Sequence, residues 1–264
     1  MNSIEKNKFE NLFFNSTQTY IHPSSIIGSN VTLGQNVKIG PFCTIVGNVK
    51  IGNNTKIYSH VSIGSTAQDI STTKPFGSIE IGNHCNIREF VSIGASKKTN
   101  GKTSIQNNCY IMSYTHIAHD VILEDNVVLI NNVNLGGHTY VEKNAFLMAN
   151  SATHQFCRIG KFTALTPFSA INQDLPPFCM FHGIKAKFHG LNSVALKRAG
   201  IAQESINSIK HVAKLFYQDK LLLDDIKNLI KTNPTVSWAK DQNVNYFLEF
   251  IKKSTRGVSK GSEI

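Results

Sequence analysis

From Ile21 onward an aliphatic residue opens almost every block of six: IHPSSI, IGSNVT, LGQNVK, IGPFCT, IVGNVK, IGNNTK. A helix needs apolar residues every 3.6 positions and a plain strand every 2.0, so a period of six is neither. It fits a parallel β-helix, in which each block is one short strand plus a turn and three blocks close one coil. The aliphatic residue fills the interior, and the glycine that often follows it suits a tight corner. A small or β-branched residue sits four positions further on, as at Val37, Cys43, Val49, Cys85, Val91, Val121 and Val127. Cys43, Cys85, Cys109 and Cys157 all fall in that slot and read as small core residues. The register breaks at Asp69–Ile79 and again after Ile93, then runs from Ile105 through twelve consecutive blocks to Pro176.

After Pro176–Pro177 the period stops. Residues 201–230 carry helical spacing (Ile206, Ile209, Val212, Ala213, Phe216), and a further helix is expected beyond Pro234, around Phe247, Phe250 and Ile251. The expected organisation is an N-terminal extension (1–20), a β-helix (21–190) with loop insertions near 69–80 and 95–104, and a C-terminal helical domain (191–264). Hydrophobic content of 41% is enough for a packed core. No apolar run reaches the ~18–20 residues of a membrane span, and the polar start lacks a secretory signal. Five scattered cysteines are no disulfide framework, so a cytoplasmic protein is expected. The formal charge of +10 favours an acidic partner. The cations do not form runs, which argues against a nucleic-acid tail.

The segment THIAHD places His116 and His119 three residues apart, with Asp120 directly after. Residues 18 apart stack on successive coils, about 4.8 Å from each other. IAHDVI, LGGHTY and THQFCR therefore share one face, and His119, His138 and His154 fall on the same side of three coils, with His116 at the adjoining corner. Such a patch reads as a general base with a neighbouring carboxylate to orient it, or as a three-histidine metal site. Against the metal, the three histidines occupy different positions within their blocks.

The motifs HIAHD, GGH, HQFC, QDLPP, LKR and the closing STRG, together with the repeat, resemble the acyl carrier protein-dependent UDP-N-acetylglucosamine O-acyltransferases that start lipid A synthesis. The resemblance spans nearly the whole chain from Ile21. It implies a left-handed parallel β-helix with a C-terminal α-helical domain, assembled as a homotrimer with active sites between subunits. It implies transfer of a 3-hydroxyacyl group from acyl carrier protein to the sugar 3-hydroxyl, with no metal and no cofactor beyond the carrier's phosphopantetheine. By motif, His119 would be the general base, Asp120 its orienting carboxylate and the Gly137 N–H the oxyanion donor. Asp69, His116, His138, His154 and Gln155 would line the sugar and acyl site, and Asn192 and Arg198 would fall near the nucleotide or the phosphopantetheine arm. The basic tail, with fourteen Lys/Arg against seven Asp/Glu from Phe181 onward, would meet the acidic carrier.

Several positions depart from the family pattern. Gly94-Ala95-Ser96 stands where the family has His-Arg-Gly. Ser71 replaces a lysine, with Lys74 as its expected substitute. Lys185 replaces a histidine and Val194 a glutamate. Thr166, Pro167 and Phe168 replace small glycines that govern acyl length, so a shorter acyl chain is expected. These departures leave open an N-acyltransferase acting on a 3-amino sugar. A catalytically silent assembly partner and a metal-dependent hydratase are the readings from other classes.

Overall fold

In the computed structural model, which describes residues 11–71, 77–233 and 235–261, the six-residue blocks become short strands on three parallel faces. Among the described residues the faces hold 10, 8 and 7 strands, and successive strands of the chain pass from face to face. Each coil advances the chain by 18 residues where no loop intervenes, as in Tyr110↔Val128↔Phe146↔Ala164 on the first face. The result is a left-handed parallel β-helix.

The aliphatic openers stack into three internal ladders. Ile39, Ile57, Ile87, Ile111, Leu129 and Leu147 line the first, all fully buried. Full burial of such a side chain is worth roughly 1.5–3 kcal/mol. The four cysteines expected in the small slot are buried and free, as is Cys179.

The corners differ from expectation in one respect. The glycine after the aliphatic residue does not supply the left-handed turn. It is there because the next coil is close: a Cβ on Gly52 would lie 2.6 Å from the Gly82 carbonyl carbon. The left-handed position comes two residues later, with φ between 54° and 66° at Asn54, Asn108, Phe90, Tyr114, Asp120, His138 and Phe156 among others. Asparagine, aspartate and histidine tolerate that conformation better than most residues.

Both register breaks leave the helix at one corner. Ser62–Ser65 pairs with Ser92–Gly94 on the second face, and Ser78–Ile81 pairs with Lys102–Ile105 on the third. The loops between them are therefore neighbours. The same corner on the next coil, between His116–Ile117 and Ile122–Leu123, carries His119 and Asp120.

Cys179–His182 and Lys187–Leu191 form an antiparallel hairpin that ends the first face. Among the described residues four α-helices follow, α1 (Ser193–Arg198), α2 (Gln203–Tyr217), α3 (Leu223–Thr232) and α4 (Gln242–Lys252), with a short 3-10 turn at Ser237–Lys240 before the last. The periodic stretch 201–230 is thus two helices. The chain breaks after Tyr217, Lys220 turns left-handed, and Asp225 accepts the Leu222 N–H to start α3. Helix α1 carried no signal in the periodicity. Tyr246 of α4 donates to Glu142 (2.6 Å) and Ser254 donates to the buried Asp174 (2.7 Å), which fastens the tail to the coil. No helix among the described residues is long and apolar enough to cross a membrane.

Candidate active site

His119 is 7% exposed, and its Nδ1 lies 2.8 Å from Asp120 Oδ2. An ionised carboxylate only accepts, so Nδ1 carries a proton, and in the neutral ring the lone pair is on Nε2. Neighbouring side chains meet here because Asp120 sits in the left-handed region, φ 61°. Three donors converge on Asp120: His119 Nδ1, the Ser96 hydroxyl on Oδ1 at 2.5 Å and the Lys97 N–H on Oδ2 at 3.2 Å. Burial alone would raise the Asp120 carboxyl. The hydrogen bonds from Ser96, His119 and Lys97 outweigh it and hold the group below the usual carboxylate value. Thr103 Oγ1 accepts the Asp120 N–H at 2.9 Å.

With 18 residues per coil, His119 stacks on Gly137 and Gln155, while Asp120 stacks on His138 and Phe156. His119, His138 and His154, expected on one side of three coils at different block positions, therefore fall in three separate vertical stacks. His138 reaches His119 edge-on (ring centroids 5.2 Å) and lies flat on Phe156 (4.5 Å). His154 stacks above Gly136, is exposed, and has its Nδ1 3.2 Å from Arg256 Nη2. Burial lowers the pKa of His138, as it does for His116, where the nearby His119 adds to the effect. His116 Nδ1 is 2.8 Å from Ser92 Oγ.

Gly137 covers the imidazole. A Cβ there would lie 2.6 Å from His119 Cε1 and 2.7 Å from Nε2. Among the described residues its N–H meets no protein acceptor. The preceding peptide is held from above: Thr153, a polar residue in the aliphatic ladder, accepts the Gly136 N–H (3.1 Å) and pairs with Thr139 Oγ1 (2.9 Å). A free N–H beside a base is what an oxyanion requires.

Asp69 stands across the groove, with Oδ2 4.0 Å from His119 Nε2. Lys97 Nζ holds that oxygen at 2.7 Å, and the Ser71 hydroxyl and N–H bind Oδ1 at 2.6 and 2.8 Å. These bonds keep the Asp69 carboxyl well below its ordinary value. The groove, about 340 Å³, is lined by Gln68, Asp69, His116, His119, Gly137 and Gln155 among others.

Other expected residues lie elsewhere. Asn192 occupies the N-cap position of α1, but its side chain donates instead to the Phe162 carbonyl (2.8 Å) at the corner between the third and first faces, and Arg198 ends the same helix, exposed. Thr166 bonds His182, and Phe168 projects, 72% exposed, from the corner between the first and second faces. Lys74 lies outside the described residues. Ser96 stands out in the sequence only as a departure from the family pattern, and Lys97, Thr103 and Thr153 do not stand out at all. The signal for the first three was the second register break, which falls one coil from the first.

His119, Asp120 and His138 bring ligand-type atoms within 4.8 Å of one another, the one such group among the described residues. A metal there would have to displace the proton between His119 and Asp120 and compete with Ser96 and Lys97 for the carboxylate. The arrangement is that of a base and its orienting carboxylate.

A hexapeptide β-helix with this pair under a glycine corner defines an acyltransferase of the hexapeptide-repeat class. The bacterial transferase hexapeptide model (six repeats) matches residues 30–65 and 102–137, and the second domain of UDP-N-acetylglucosamine O-acyltransferase matches 174–259. The acyl-[acyl-carrier-protein]–UDP-N-acetylglucosamine O-acyltransferase of Thermodesulfovibrio yellowstonii is 37% identical over 258 residues, covering 90% of this chain and 98% of that protein. That of Janthinobacterium sp. is 40% identical over 159 residues, and the match spans 60% of each chain. The UDP-N-acetylglucosamine acyltransferase structure from Francisella novicida superposes with a TM-score of 0.78 at 32% identity, covering 94% of both chains. The Campylobacter jejuni enzyme gives 0.77 at 29%, covering 92% of this chain and 100% of that one. The chain belongs to the UDP-N-acetylglucosamine O-acyltransferase family.

Proposed function

We propose that the protein moves a 3-hydroxyacyl group from the thioester of acyl carrier protein to the 3-hydroxyl of UDP-N-acetylglucosamine, the first step of lipid A synthesis. The observation that carries this reading is the His119 Nε2 lone pair, set beside the unpartnered Gly137 N–H in an open groove. Nε2 takes the proton as the sugar oxygen bonds to the thioester carbon. The Gly137 N–H receives the negative oxygen of the tetrahedral intermediate. Asp120 stabilises the imidazolium. Collapse of the intermediate breaks the C–S bond, and the thiolate leaves with the proton from His119.

The relatives are named as O-acyltransferases, which favours a hydroxyl acceptor over an amine. The groove is open on the second face, and Asn192 and Arg198 sit at a different corner of the same chain. Both features favour a homotrimer in which a second subunit completes the site. A positive C-terminal domain suits an acidic carrier protein, and five unpaired cysteines suit a cytoplasmic setting. His119→Ala is the direct test. It should abolish acyl transfer with the fold intact, and full turnover would overturn the proposal.

A further inference from the structure

The 95–101 loop does more than interrupt the repeat. Gly77 lets it pack against the neighbouring loop and Gly101 lets it close on itself beside Asp120: a Cβ on Gly77 would lie 2.3 Å from Ser96 Cβ, and one on Gly101 would lie 2.0 Å from Ser96 Oγ and 3.0 Å from Asp120 Oδ1. Contact this close leaves little play in where Ser96 and Lys97 sit. Lys97 then reaches both carboxylates that flank His119, through different atoms. Its backbone N–H donates to Asp120 Oδ2, and its ammonium donates to Asp69 Oδ2 and to Ser71 Oγ, each at 2.7 Å.

We propose that Lys97 is a positioning residue for the acceptor. Its ammonium fixes the Asp69 carboxylate as the hydrogen-bonding lip of the groove, and its main chain independently secures the partner of the base. The inference rests on the function proposed above. Asp69 has two of its acceptor directions taken by Ser71 and one by Lys97. What remains of Oδ2 faces the space 4.0 Å from His119 Nε2, where the acceptor hydroxyls of a sugar would stand. The ammonium also offsets one of two carboxylates at the mouth of a site that must admit a nucleotide diphosphate. An unpaired Asp69 would repel that anion. The side chains of Lys97 and Asp69 are about a third exposed or less (36% and 26%), so solvent screens the pair only in part.

The two attachments separate in a mutant. Lys97→Met deletes the ammonium and keeps the N–H. It should raise the KM for UDP-N-acetylglucosamine about 10-fold, the effect of one lost charge-assisted contact. The KM for the acyl carrier should move far less, and kcat less than the acceptor KM. Lys97→Arg should recover most of the loss. Asp69→Asn should raise the same KM, and the double variant should be no worse than Asp69→Asn, because Lys97 acts through Asp69. Multiplying single effects would overturn the proposal. So would a fall in kcat alone, or failure of the arginine to rescue. Calorimetric binding of the nucleotide sugar gives the same comparison without turnover. A wild-type protein that transfers no acyl group would instead refute the function itself.

Discussion

Replacing Asp120 with asparagine removes one charge and almost nothing else. The amide oxygen can take the place of Oδ2, accepting His119 Nδ1–H and the Lys97 N–H. The amide nitrogen then faces Ser96 Oγ, which can accept from it and turn its own proton toward the Lys98 carbonyl, 3.3 Å away. The histidine tautomer and the loop both survive. What is lost is the difference between a charged and a neutral acceptor for the imidazolium that forms as the acceptor is deprotonated. That difference is about 1–1.5 kcal/mol, or a fall of about 5- to 13-fold in kcat. A swap that inverts the tautomer costs on the order of 10⁴-fold in a serine-protease triad. Initial rates of carrier thiol release would be measured for Asp120→Asn and for wild type at matched pH. Wild-type turnover would refute a role for the carboxylate. A loss near 10⁴ would refute the rearranged hydrogen bonding described here.

Gly137→Ala places a methyl within 2.6–3.2 Å of three His119 ring atoms that Asp120 holds in place. A fall in kcat of more than about 10-fold with little change in melting temperature is expected, in line with the cost of misplacing a reacting group. His116 and His138 have pKa values lowered by burial. The unfolded chain therefore binds more protons than the folded one just below pH ~6.5, and stability present above that pH is lost as pH falls toward the folded values. The melting temperature should drop between pH 7.5 and 5.5, and His116→Asn should make the slope shallower; an unaltered slope would contradict this. If Phe168 closes the acyl groove, Phe168→Gly should shift preference toward longer acyl carriers. An unchanged chain-length profile would remove Phe168 from that role.

The β-helix was legible because its period is enforced by an interior that admits one aliphatic residue per face per coil. His119 with Asp120 was legible for a related reason, since the register fixes which face a residue joins. The register does not say which way a corner side chain turns. The three histidines therefore stand in separate stacks, with His119 under Gly137, Asp120 under His138, and His154 engaged by Arg256. Lys97, and the contact of Ser96 with Asp120, were hidden because they lie in a break of the repeat, where periodicity carries no information. Their role follows from two loops leaving one corner on adjacent coils. The corner glycines were assigned to turning when close approach of the next coil accounts for them. The interruption between α2 and α3 was invisible because hydrophobic spacing continues across it.

The most direct measurement is the mass of the product formed from a panel of nucleotide sugars and 3-hydroxyacyl carrier proteins. The account predicts UDP-N-acetylglucosamine carrying one 3-hydroxyacyl group in a hydroxylamine-labile ester, formed by the wild type and not by His119→Ala. A hydroxylamine-stable amide on an amino sugar, no acylated product from any pair, or equal product from the alanine variant would contradict it.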